Sequence, residues 1–280
     1  MLPTGVLLGM RVLFASIIAL SLHSSLSDKV PHTFTLMLYA QSKLKPKAVP
    51  FKGIERLTTF TVQCWALQLV YFVLAAAASA AHLCGLAASL PAADVMQRLF
   101  RAVHVLFDVS ATTAILVTSV VTFVLIPARI KRGDRQGLAR MLGWRPQCMH
   151  NLNLIFVVSE MLFASLPVVA SHFVFPALFG IQYVLISWWW LQRTGVAYYP
   201  FLDPTLPPAK AVGIHAVLFL VLALFFGLRV GVATAAALIP LSVRVPALYA
   251  AAASICWTRR GIRGWPKELE KWDYETGGGE

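Results

Sequence analysis

The sequence predicts an all-α protein, a polytopic bundle of transmembrane helices with six spans and a possible broken seventh. Hydrophobic residues make up 58% of the 280-residue chain and charged residues only 13%, about half their share in an average soluble domain. The apolar residues are gathered into runs of roughly the 20 residues that a bilayer requires. The net charge of +12 falls in loops and tail, which is typical of a cytoplasmic membrane face and not of a nucleic-acid partner.

Seven apolar runs define the elements of the predicted bundle. They cover residues 5–22, 57–90, 103–126, 149–170, 172–191, 211–228 and 230–257. The first six are long enough to span, whereas the seventh contains two prolines and Arg244 and fits a broken span, a re-entrant hairpin or an interfacial helix. No polar linker separates the fourth run from the fifth, so a tight turn is expected near Ser171. Residues 1–258 are therefore predicted to form the bundle, and residues 259–280 a charged, solvated tail.

The first run has an alternative interpretation as a secretory signal peptide. Arg11 is followed by an apolar stretch and then by the small residues Ser24, Ser25 and Ser27, as in such leaders. Arg11, however, lies inside the run and not ahead of it. This position favours a retained helix with a polar inward face.

Loop charges predict the orientation of the bundle. The first and third loops are strongly basic, through Lys29, Lys43, Lys45, Lys47, Lys52 and Arg56 in the first, and Arg129, Lys131, Arg132, Arg135, Arg140 and Arg145 in the third. The second loop has only two basic residues and the fourth has none. The odd loops are therefore predicted to be cytoplasmic, with the N-terminus across the membrane. A basic tail on the cytoplasmic side would then require seven crossings.

Thr59 and His150 are the candidate catalytic residues. They lie in the first turns of the second and fourth runs, which both follow odd loops and enter the bilayer in the same direction. We therefore expect them at nearly the same depth, close to the basic face. A hydroxyl beside an imidazole is the minimum set for nucleophilic acyl transfer. Free N–H groups of a first helical turn could stabilise an oxyanion.

Each of these residues also has a structural interpretation. A threonine at a helix start is usually a cap, and a lone histidine at a membrane edge is usually an interfacial hydrogen-bonding residue. Arg11 and Glu160, two ionisable groups at membrane depth, fit either a structural ion pair or a pocket. The tryptophans around Trp188, with Tyr199, fit an interfacial aromatic belt or the lining of an acyl groove.

Metal and thiol chemistry find little support in the sequence. Four histidines are dispersed with no two at helical spacing, namely His82, His104, His172 and His215, so we expect no metal site. The four cysteines (Cys64, Cys84, Cys148 and Cys256) are also scattered and fit packed thiols. No cofactor is expected, and the phosphate-binding glycine loop and the nucleophile elbow are missing from the sequence.

At the candidate residues the chain resembles the androgen-induced-gene family of multi-pass membrane hydrolases. The likeness lies in four stretches that hold their order and spacing over about four fifths of the chain. They are the lead into a Leu-Thr-Phe helix start at residues 52–60, the Met-His segment at 149–150 with Glu160, the aromatic span at 183–188, and the Tyr-Pro-Phe-Leu loop at 195–203. Arg11 in the first run also fits.

The resemblance implies hydrolysis of lipid esters, namely fatty acid esters of hydroxy fatty acids. Its catalytic threonine and histidine correspond to Thr59 and His150, with His150 as the base and an acyl-threonine as the intermediate. The identity of a third group that would orient His150 stays open. Glu160 lies too deep and Asp108 lies near the opposite face, whereas Asp203 is within reach. The resemblance also implies an endoplasmic reticulum or other endomembrane location, with the plasma membrane as an alternative.

Two other function classes remain open from the sequence. Arg11, Glu160 and Asp108 would suit a membrane transporter that uses them as an intramembrane polar network. A non-enzymatic membrane regulator would keep the fold without the activity. The bilayer and a lipid ester are the expected partners, whereas the identity of the ester, the organelle and the oligomeric state stay open.

Overall fold

The computed structural model describes residues 2–28, 32–34, 43–44, 49–86, 90–131, 133–164 and 166–256. Within them the chain is an all-α helical bundle, which confirms the fold class predicted from the sequence. The charged tail predicted for residues 259–280 lies outside the described residues, as do Lys29, Lys45 and Lys47 of the first basic loop.

Ten helices and a pair of short strands make up the described chain. The helices are α1 (Thr4–Ser27), α2 (Phe60–Leu83), α3 (Leu90–Val120), α4 (Ile126–Lys131), α5 (Arg135–Met141), α6 (Trp144–Gln147), α7 (Asn153–Phe163), α8 (Val174–Thr194), α9 (Pro208–Ala237) and α10 (Leu241–Ile255). A π turn at Val121–Leu125 joins α3 to α4, and another at Cys148–Leu152 joins α6 to α7. The antiparallel strands β1 (His32–Phe34) and β2 (Val49–Phe51) pair within the first loop.

Five helices of the described part are long and apolar enough to cross a membrane, as expected of a multi-pass membrane protein. They are α1, α2, the continuous rod of α3 and α4, α8 with its leading turn, and α9. The fourth predicted span is not among them, because the continuous helix that runs from α6 through the π turn to Phe163 carries polar residues over its first half and ends seven residues before the apolar run does. Pro167 has no N–H to bond the Phe163 carbonyl, so the helix ends there. The chain resumes with the 3-10 turn Ala170–Phe173, where a tight turn was expected.

The seventh apolar run is divided between two helices. Its first residues extend α9 to Ala237, and α10 begins after Pro240. At the far end of α10, the Ile255 carbonyl accepts a hydrogen bond of 2.6 Å from the Thr122 hydroxyl, and Ala252 packs with Leu154 of α7. α10 thus runs back along the outside of the bundle beside α7, which favours the broken span among the three interpretations.

Helix α3 occupies the centre of the bundle and contacts α2, α7, α8 and α9. Its inner face is polar but made of small side chains, with Ser110, Thr112, Thr113 and Thr118 all buried. The Thr112 and Thr113 hydroxyls donate to carbonyls one turn earlier, at 2.7 and 2.9 Å. This bonding satisfies the hydroxyls within their own helix, so that neighbouring helices can pack closely against them.

The first and third loops meet at one end of the bundle, which we call the basic end. Asp28, just after α1, accepts from Arg145 of the third loop at 2.6 Å and lies 3.3 Å from Arg56. The loop after α8 comes to the same end, because the Thr58 hydroxyl donates to the Tyr198 hydroxyl at 2.9 Å. Parallel entry of α2 and α7 from this end follows, as the loop charges predict.

Gly195 ends α8 in the left-handed conformation, with a φ of 73° and an N–H bond of 2.7 Å to the Leu191 carbonyl. We expect Gly195→Ala to lower the free energy of unfolding by about 1–2 kcal/mol, because a β-carbon is strained in this region. Thermal unfolding in detergent measures the loss. Gly213→Ala is the matched control, since a β-carbon at this helical position meets nothing within 4 Å. Equal effects of the two substitutions would contradict the explanation.

Candidate functional site

Thr59 is placed by a well-bonded turn at the start of α2. The 3-10 turn Gly53–Thr58 is fixed by the Glu55 carboxylate, which accepts from the Lys52 N–H at 3.1 Å. Thr59 follows as the N-cap residue and is 8% exposed. Its hydroxyl donates to the Arg56 carbonyl at 2.8 Å and caps no N–H group of the helix. The side chain therefore occupies the cap position without performing the cap function.

His150 lies in the π turn that leads into α7, and this turn packs against α2. Its carbonyl accepts from the Thr118 hydroxyl of α3 at 2.5 Å. The Nδ1 atom of the ring is buried and has no hydrogen-bond partner among the described residues. Single π turns occur frequently at functional sites. The backbone of His150 is thus fixed by a hydrogen bond, while the Nδ1 atom of its ring remains without a partner among the described residues.

Contacts between α2 and α7 bracket the relative depth of the two candidates. The Trp65 and Phe156 rings stack with their centroids 6.1 Å apart. Thr59 precedes Trp65 by six residues and His150 precedes Phe156 by six, so this contact would place Thr59 and His150 at the same depth. The Gln68 amide donates to the Asn153 carbonyl at 2.9 Å. Counting three residues back from each partner, this contact would instead place His150 level with Trp65, about 9 Å deeper in the bundle than Thr59. A long side chain such as Gln68 reaches back toward the helix start. His150 therefore lies level with the first two turns of α2.

The structure brings Thr59 and His150 to the same end of adjacent parallel helices but not into hydrogen-bond contact. The Thr59 hydroxyl is bonded to Arg56 instead. Catalytic hydrogen bonds are often long or poorly aligned without substrate. The pairing of Thr59 with His150 stays a prediction, whereas the location of both residues at the basic end follows from the fold.

Three tyrosines gather beside the start of α2. The Tyr183 ring of α8 lies against Phe60 at 4.9 Å and against Tyr199 at 6.0 Å, while Tyr198 bonds to Thr58. Burial raises the pKa of both Tyr198 and Tyr199 to about 12. Both phenols are consequently protonated at neutral pH and can donate hydrogen bonds near Thr59.

Trp188 and Asp203 stabilise the loop after α8. The Trp188 indole donates to the Leu202 carbonyl at 3.0 Å. One Asp203 oxygen accepts from both the backbone N–H and the hydroxyl of Thr205, at 2.8 and 2.7 Å. Since the His150 Nδ1 atom has no partner in the described chain, Asp203 does not orient it there. The third catalytic group stays unassigned.

Arg11 and Glu160 form a buried ion pair deep between α1, α2 and α7. The Arg11 Nε atom donates to Glu160 at 2.9 Å, and its Nη2 atom makes a second, short bond to the same oxygen. The remaining Nη1 group bonds to the Ala75 carbonyl at 3.1 Å and to the Ser79 hydroxyl at 2.5 Å. The geometry fits the structural alternative of the sequence analysis, since Arg11 is fully used in joining helices.

Asp108 belongs to a second ion pair, and Tyr71 lies near both this pair and the pair of Arg11 and Glu160. Asp108 is fully buried and pairs with Arg229 of α9 at 2.5 Å. Sequence reasoning did not single out Arg229, the one residue between the sixth and seventh apolar runs. The structure shows it inside α9, 1% exposed. The available signal was an ionisable residue flanked by apolar runs on both sides.

Comparison of this chain with models of protein families, with curated protein sequences and with solved structures gives no match.

Proposed function

We propose that the protein is a membrane-embedded hydrolase of lipid esters, with Thr59 as the nucleophile and His150 as the base. One observation carries the proposal. A buried threonine hydroxyl that caps no helix and a histidine with an uncommitted buried nitrogen lie at one end of neighbouring parallel helices. The resemblance to the androgen-induced-gene family supports the same two residues and the class of substrate, fatty acid esters of hydroxy fatty acids. It also supports an endomembrane location.

The reaction begins with rotation of the Thr59 hydroxyl away from the Arg56 carbonyl toward the imidazole. His150 takes the hydroxyl proton as the oxygen attacks the ester carbonyl. The imidazolium then gives this proton to the departing alcohol, and an acyl-threonine remains. Water, deprotonated by the same imidazole, attacks the acyl group, and the proton returns to the Thr59 oxygen as the fatty acid leaves.

Donors for the oxyanion are available near Thr59. The first N–H groups of α2 have no partner within the helix and lie at the positive end of its dipole. The protonated phenols of Tyr198 and Tyr199 are further donors. A site at the end of the bundle would let the acyl chains lie in the bilayer while the ester meets water.

Labelling with a fluorophosphonate probe tests this assignment. We expect the wild-type protein to be labelled, Thr59→Ala to be unlabelled and His150→Ala to be labelled far more slowly. Thr58→Ala is the matched control, because its hydroxyl is adjacent but is already hydrogen-bonded with the Glu55 carbonyl and the Tyr198 hydroxyl, so its labelling should persist.

Unchanged labelling of Thr59→Ala would reject the assignment, and loss confined to Thr58→Ala would move the nucleophile by one residue. A wild-type protein with neither labelling nor ester turnover would favour the transporter or regulator classes. For the transporter, the proposed network of Arg11, Glu160 and Asp108 consists of two ion pairs, Arg11–Glu160 and Arg229–Asp108, with Tyr71 near both.

A further inference from the structure

Two histidines that are far apart in sequence converge on one buried carboxylate. The His172 Nδ1 atom lies 2.6 Å from the Asp108 Oδ2 atom, and the His104 Nε2 atom lies 3.6 Å from it. All three ligand atoms fall within 4.8 Å of one another. From this convergence we infer a binding site for a divalent transition metal ion of the zinc class, which we call the His–Asp–His site.

The fold builds this site from two elements. His104 and Asp108 are four residues apart on α3 and so lie on the same face of that helix. His172 comes from the 3-10 turn that precedes α8. Asp108 is completely buried, whereas the side chains of His104 and His172 remain 14% and 19% exposed. The carboxylate is thus inside the bundle while the imidazoles give an ion access from outside.

Arg229 is the counter-ion of this carboxylate, in an ion pair that lacks hydrogen-bond geometry at Oδ1. It pairs with the Oδ1 atom of Asp108 at 2.5 Å and lies over the Phe107 ring at 5.3 Å. The other oxygen, Oδ2, is the one that faces the two histidines. Supporting contacts of this kind hold a metal ligand in place and are a regular part of metal sites.

The ligand chemistry selects the class of ion. Two imidazoles and one carboxylate are the donor set of three-ligand zinc sites, which keep a fourth position for water. Oxygen-preferring ions such as calcium and magnesium are disfavoured by two nitrogen donors. His104 Nε2 lies 2.8 Å from the Pro167 carbonyl, and metal binding would replace this contact with a bond from the nitrogen lone pair.

The site is separate from the proposed catalytic pair. The Tyr71 ring of α2 contacts the Phe107 ring of α3 with centroids 5.4 Å apart, so Asp108, next to Phe107, lies at about the depth of Tyr71. Tyr71 is twelve residues beyond Thr59 along α2. This separation is about 18 Å along the helix axis. A bound ion would join the central helix to the start of α8 at the end remote from the basic loops.

Zinc retention by the full-length protein in detergent tests the inference. The protein is purified without a histidine tag, treated with chelator, incubated with zinc chloride and freed of excess metal. We expect the wild type to retain about one zinc ion per chain and to unfold at a higher temperature with zinc. His104→Ala and His172→Ala should each lose most of the bound zinc and the thermal shift.

His82→Ala is the matched control, because His82 is exposed in the last turn of α2 near the exposed Cys84. It should retain the zinc, and loss of zinc in this variant alone would reveal an adventitious ion at His82 and overturn the inference. Cobalt(II) gives a second readout that does not depend on the stability of the variants. We expect the cobalt-loaded wild type to show the visible absorption of a four-coordinate cobalt site, and chelator to abolish it. Absence of this absorption would also overturn the inference.

Discussion

Thr59→Ala is expected to lower kcat/KM for the hydrolysis of a fatty acid ester of a hydroxy fatty acid on the order of 10⁴-fold or more, because the nucleophile is removed. Thr59→Ser keeps a hydroxyl at the same position and should retain measurable turnover. The measurement is release of free fatty acid by the purified protein in detergent, followed by mass spectrometry.

His150→Gln should cause a loss similar to that of Thr59→Ala. The double variant should be no worse than either single variant, since a nucleophile and its base act as one unit. Additive losses would indicate that the two residues work separately. A Thr59→Ala variant that keeps more than about a tenth of wild-type turnover would rule out the threonine as nucleophile.

Glu160→Ala is expected to lower the free energy of unfolding by roughly 3–5 kcal/mol, because it leaves the Arg11 guanidinium buried without its counter-ion. Glu160 is fully buried and Arg11 is 7% exposed, so water cannot easily replace the lost partner. Thermal unfolding in detergent, followed by tryptophan fluorescence, measures the change. A folded variant as stable as the wild type would show that the pair does not hold α1 against α7.

The double variant Arg11→Met with Glu160→Leu separates the pair from its packing. Replacing both charges with apolar side chains of similar size removes the uncompensated charge and should recover most of the stability. The Ala75 carbonyl and the Ser79 hydroxyl would lose their contacts with Arg11, but Ser79 can bond within its own helix. Failure of the double variant to recover would indicate that shape, and not charge, dominates at this position.

Much of the architecture was predictable from the apolar runs. The α1, α2, α3, α8 and α9 helices all correspond to runs recognised in the sequence, and the turn near Ser171 was placed correctly. The fourth run was less predictable, since its helix stops at Phe163 on account of Pro167. The helix of the sixth run continues through Arg229, whose pairing with Asp108 offsets part of the cost of burying its charge.

The candidate site was predictable only in part. The threonine at the start of α2 was expected as a helix cap or a nucleophile, and only the structure shows that its hydroxyl turns to the Arg56 carbonyl. The uncommitted nitrogen of His150 also depends on what packs around it. His104 and His172, sixty-eight positions apart, gave no sign of a shared carboxylate.

The amino-acid order by itself determined most of the membrane-spanning helices and which end of the bundle is basic. In a bilayer each backbone N–H and C=O group must be bonded within its own segment, so a long apolar run forms a helix whatever its neighbours are. Only the tertiary structure decided that Arg11 meets Glu160, that Asp108 meets Arg229 and two histidines, and how deep His150 lies. These contacts depend on the rotation, tilt and lateral order of whole helices, which are set by close packing between segments distant in the chain.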